Sequence, residues 1–138
     1  MVASVAAIVV FTQLGPHSVQ AEATSCPGGM VGTGSVADPC LVTNASQLAA
    51  IDENTASLAL HYRLANDITL TGSWTPIAPY ADPSSPPITG SLDGAGNAII
   101  GLQIVDPAAV VVGLFGFSSG ATFEQLRLTS VDITAGAI

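Results

Sequence analysis

The chain has 138 residues, 49% hydrophobic and 9% charged, with Asp+Glu 10 against Lys+Arg 2 and a formal net charge of -8. That length holds one domain, and the lone cations Arg63 and Arg127 form no positive stripe for nucleic-acid phosphates or an anionic membrane surface. Aliphatic side chains are plentiful enough to fold the chain, while 14 glycines and 9 prolines interrupt any long helix, so a mainly β protein is expected.

Residues Val2 to Phe11 form an apolar run too short to cross a bilayer but of the length found in secretory signals. Small side chains at Val19-Gln20-Ala21 place cleavage after Ala21; Ala21-Glu22-Ala23 offers the alternative after Ala23. No Lys or Arg precedes the run, and a buried strand is the competing reading. A signal peptide over 1–21 and export to the cell surface or medium are the expectation.

In an exported chain the two cysteines, Cys26 and Cys40, are read as a disulfide. They would close the loop CPGGMVGTGSVADPC, whose four glycines and two prolines give it little structure of its own. Two thiols alone make a poor metal site. Ala23-Thr24-Ser25 is likewise a poor lipobox for anchoring Cys26. Residues 22–43 are assigned to this disulfide loop and a first strand, and 44–138 to a capping helix and a series of stacked coils.

Asn44-Ala45-Ser46-Gln47 is a capping-box variant, and Leu48, Ala49 and Ile51 supply an apolar face, which predicts a short helix from Ala45 to Glu53. The same Asn44-Ala45-Ser46 is formally a glycosylation acceptor. Tyr62-Arg63-Leu64 and Ile68-Thr69-Leu70-Thr71 then alternate as strands. Gly72 to Pro87, with Trp74 and several prolines, reads as a long excursion loop.

Leu92-Asp93-Gly94 recurs as Leu114-Phe115-Gly116, and Leu102-Gln103-Ile104 as Leu126-Arg127-Leu128, with Ile68-Thr69-Leu70 as a third copy. Spacings of about 22 to 24 residues point to a stacked solenoid. Its interior would be laddered by Ile68 and Leu70, Leu102 and Ile104, and Leu126 and Leu128. Gly94, Gly96, Gly101, Gly113, Gly116 and Gly120 are expected at corners needing positive φ.

The string GTGSVADPCLVTNASQLAAI resembles the opening motif of secreted bacterial β-helix proteins. YRLANDITL, SWTPIAP, ITGSLDGAGNAIIGLQI and GLFGFSSGATFEQLRL resemble their successive coils, as in filamentous-haemagglutinin-like surface proteins with GLUG-type repeats. The resemblance spans residues 31–133 and implies an all-β fold, a right-handed parallel β-helix of the pectin-lyase-like class. About three coils are expected behind the capping helix. A strand-like Val131-Asp132-Ile133 near the end leaves the last coil open, so the chain reads as the amino-terminal piece of a longer protein, or as a small module that self-associates through that open coil.

Catalytic signals are thin. His61 lies beside Tyr62 at a strand start, Asn66-Asp67 and Asp93-Gly94-Ala95-Gly96-Asn97 read as turns, and Glu124 with Arg127 reads as a surface pair. No residue is nominated as catalytic, and no cofactor or metal is expected. Trp74 and Tyr80 are the candidate carbohydrate contacts, since an exposed aromatic face suits a pyranose; the competing reading has Trp74 pinning the excursion loop to the wall. The expected role is a non-catalytic, adhesin-like or structural surface module whose partner is a surface glycan or a cell-surface protein. The alternative is the leading segment of a β-helix polysaccharide lyase or hydrolase with its active site downstream.

Overall fold

The computed structural model describes residues 25–109 and 111–136; the expected leader over residues 1–21 lies outside them. The fold is mostly β. Its strands are β1 (Cys40–Val42), β2 (His61–Leu64), β3 (Ile68–Thr69), β4 (Ser91–Asp93), β5 (Ala98–Ile100), β6 (Gln103–Asp106), β7 (Thr122–Glu124), β8 (Arg127–Thr129) and β9 (Asp132–Ala135), with one α-helix, α1 (Ala45–Ala50). Sheet A has the order β1-β2-β4-β7, sheet B β8-β5-β3 and sheet C β9-β6, and every pairing within them is parallel.

The strands are short because Gly, Pro and Asx turns interrupt the chain every few residues, and a parallel neighbour can be reached only after a long return. Successive strands therefore go to sheets A, B and C and come back. Tyr62 pairs with Leu92 and Leu92 with Phe123; Ile68 pairs with Ile99 and Ile99 with Leu128; Ile104 pairs with Ile133. Each step is about 30 residues rather than the 22 to 24 expected from sequence. Leu102-Gln103-Ile104 accordingly does not stack on Ile68-Thr69-Leu70 or on Leu126-Arg127-Leu128. Short apolar-x-apolar strings look alike wherever a strand turns one face inward, so similarity between them carries no register.

The excursion loop stays on the body of the protein. Isolated parallel bridges tie Ser73 to Gln103, Ile77 to Phe115 and Ile88 to Ser118, and both Ile77 and Ile88 are buried. The interior is one cluster in which Val42, Leu64, Tyr62, Leu92, Ile68, Ile99, Leu102 and Ile104 are joined by Leu48 and Ile51 of the helix region. Removing an Ile or Leu side chain from water stabilises by roughly 1.5–3 kcal/mol, which makes this cluster the main source of stability.

Helix α1 begins as its residues dictate. Asn44 Oδ1 accepts from Gln47 N at 2.9 Å, and Gln47 Oε1 accepts from Thr43 N at 2.8 Å, so the box reaches one residue before the cap. The helix stops at Ala50 instead of Glu53, because turns at 51–56 bring Ser57 and Leu58 into the core. Cys26 and Cys40 are disulfide-bonded, with Cα atoms 5.6 Å apart, joining the Pro27–Gly29 turn beside the helix to β1.

Of the corner glycines, Gly96, Gly101 and Gly120 take positive φ, whereas Gly94, Gly113 and Gly116 do not. Gly94 is needed for closeness: a Cβ there would lie 2.2 Å from the Gln125 carbonyl oxygen of the neighbouring turn.

Candidate functional site

Alternation along the strands of sheet A sends Tyr62, Leu92 and Phe123 to one face and their neighbours to the other. On that outer face His61, Ser91 and Thr122 form one row in register, and Arg63, Asp93 and Glu124 form the next. His61 Nδ1 lies 2.8 Å from Ser91 Oγ, and Arg63 Nε lies 3.7 Å from Asp93 Oδ2. Asp93 is oriented from the other side, since its Oδ1 accepts from Ala95 N at 2.8 Å in the turn beyond the strand.

These side chains floor a cavity of about 200 Å³, with Val36, Ala37 and Pro39 as its wall. The wall belongs to the disulfide loop. Thr33 N and Gly34 N both donate to the Asp38 carbonyl, and His61 N donates to Gly34 O at 2.9 Å, so the bridge and the first strand together set the height of the wall over the floor. Beneath the floor the Tyr62 hydroxyl donates to Ser57 O at 2.7 Å; burial, reinforced by Glu53, pushes the phenol well above its ordinary range.

The expected aromatic contacts do not make one platform. Trp74 is half-buried, its Nε1 donating to Leu114 O at 3.2 Å, and it borders a separate cavity of about 150 Å³ beside Ile104 and Val112. That is the pinning role. Tyr80 is exposed and meets Phe117 edge to face, with ring centroids 5.2 Å apart.

The turn residues serve the backbone. Asn66 Nδ2 donates to Thr43 O and Asp67 O, Asp67 Oδ1 accepts from Ala98 N, and Asn97 Nδ2 donates to Leu64 O, each tying one level of the structure to another. The polar rows themselves escaped the sequence reading. Their signal was the polar-apolar-polar triplets His61-Tyr62-Arg63, Ser91-Leu92-Asp93 and Thr122-Phe123-Glu124 at about 30-residue intervals.

No protein-family description matches the chain, and no solved structure matches it. Halomucin of Haloquadratum walsbyi is 32% identical over 126 residues, which covers 83% of this chain and 1% of halomucin. The chain thus spans about one hundredth of the length of this curated relative.

Proposed function

We propose that the chain is a right-handed parallel β-helix module of an exported surface protein, and that it binds a glycan, without catalysis, through the outer face of sheet A. The solenoid reading is supported by the cyclic return of the chain to sheets A, B and C in register and by the apolar columns this creates. Export is supported by the Cys26–Cys40 bridge, since disulfides persist in oxidising compartments.

The observation that carries the binding reading is the pair of polar rows on adjacent strands, open to solvent under the Val36–Pro39 wall. Sugar hydroxyls are recognised by fixed donors and acceptors set on a rigid floor. His61, Arg63, Ser91, Asp93 and Glu124 supply both kinds. A binding role also suits the orientation of His61. In a hydrolytic triad a carboxylate holds Nδ1 and leaves Nε2 to the nucleophile, whereas here Nδ1 faces the Ser91 hydroxyl.

A glycan array probed with the purified, disulfide-bonded protein tests this reading. Binding to a restricted set of oligosaccharides, with no release of reducing or unsaturated ends from them, is the expected result. Absence of binding to any glycan refutes the ligand class, and cleavage of a bound glycan refutes the non-catalytic assignment in favour of a lyase or hydrolase.

A further inference from the structure

The last strand of each sheet carries the interior columns past the point where the structure covers them. Leu92, Ile99 and Ile104 are almost fully buried, yet their register partners Phe123, Leu128 and Ile133 are 37%, 40% and 40% exposed. At the opposite end, where α1 and the disulfide-linked turn sit, Val42, Leu48 and Ile51 are fully buried. The molecule therefore has one closed end and one end bearing unpaired strand edges with a continuous apolar seam.

An isologous contact requires a surface that is complementary to itself after a two-fold rotation. The chain from β7 to β8, Thr122-Phe123-Glu124-Gln125-Leu126-Arg127-Leu128-Thr129, has that property. Reversed about the Gln125–Leu126 corner, Thr122 falls on Thr129, Phe123 on Leu128, and Glu124 on Arg127. Glu124 and Arg127 are both exposed, and neither has an ion-pair partner within 4 Å among the described residues.

We infer that the open end is the docking surface for a second copy of this chain, packed end to end about a two-fold axis through the Gln125–Leu126 corner. β7 of each copy runs antiparallel to β8 of the other. Phe123 meets Leu128 of the partner copy, and Glu124 pairs with Arg127 of the partner copy, twice by symmetry. The end face is small, and interfaces burying less than about 1,200 Å² are weak, so the dimer forms at high micromolar concentration. This inference does not rest on glycan binding, and mass alone tests it.

The test is sedimentation equilibrium of the full disulfide-bonded chain at moderate salt, from about 10 µM to 1 mM, the range in which weak interfaces populate. The mass is expected to rise from one copy towards two and no further. Glu124→Arg and Arg127→Glu each place like charges across the contact and raise the dissociation constant about tenfold, and the double exchange restores it to within about threefold. Glu124→Gln, the milder change, weakens it about threefold and covers the case in which a reversal disturbs folding. A single-copy mass at every concentration overturns the inference. So does a dimer indifferent to the single variants, or single losses that the double exchange fails to restore.

Discussion

Ile99 and Leu128 occupy the same interior column one level apart, which makes them a matched test of the packing. Ile99 is fully buried between Ile68 and Leu128, whereas Leu128 is 40% exposed on the last strand of sheet B. Truncating Ile99 to Ala removes buried methylenes and leaves a void between two levels, costing about 2–5 kcal/mol. Truncating Leu128 removes a side chain already partly in water and opens no enclosed void, so about 1 kcal/mol is expected. Urea unfolding, followed by the fluorescence of the single tryptophan, Trp74, at low micromolar protein, reads both. With a slope near 1.5 kcal/mol/M, the Ile99→Ala midpoint falls by roughly 1.5–3 M and the Leu128→Ala midpoint by under about 1 M. Equal losses at the two positions refute the column and the register beneath it.

Replacing Cys26 and Cys40 together by Ser frees a loop of about fifteen residues and costs on the order of 3 kcal/mol in the chain-entropy model; an unchanged melting curve contradicts a stabilising bridge. Tyr62→Phe orphans the buried Ser57 carbonyl and costs about 1–3 kcal/mol, read by the same urea titration. Because the folded state holds the Tyr62 proton more tightly than the unfolded chain does, wild-type stability is full below about pH 10 and is lost as pH rises beyond it. The Phe variant lacks that component, and an identical alkaline decline in both proteins refutes it. A net charge of -8 makes the folded chain repel itself, so raising NaCl from about 10 mM to 0.5 M shortens the Debye length and raises the melting temperature; a fall would contradict this.

Local chemistry was the most legible part of the sequence. The Asn44 cap, the Cys26–Cys40 pairing, the Asn66-Asp67 and Asp93–Asn97 turns and the apolar faces of the strands each depend on residues a few positions apart or on a unique pair. Register was not legible. The return from β4 to β7 passes through Ile104 and Phe115, and the contacts of Phe115 with Ile77 are settled by packing across levels, so Leu114-Phe115-Gly116 imitates a repeat of Leu92-Asp93-Gly94 without pairing with it. The polar rows were hidden for the same reason: His61, Ser91 and Thr122 become neighbours only once the 30-residue step is known. Trp74, the most conspicuous candidate for a ligand contact, donates its indole N–H to the protein's own wall.

The glycan reading is tested most directly by titrating the strongest array ligand into three proteins: wild type, Asp93→Asn and Tyr80→Ala. Asn keeps the acceptor that the Ala95 amide uses in the turn while removing the charge beside Arg63, so the floor stays in place. Asp93→Asn is expected to weaken the dissociation constant at least tenfold, about the effect of losing one charge-assisted hydrogen bond, and Tyr80→Ala to leave it unchanged. Full affinity in Asp93→Asn together with loss in Tyr80→Ala would contradict this and move the binding surface to the Tyr80–Phe117 edge.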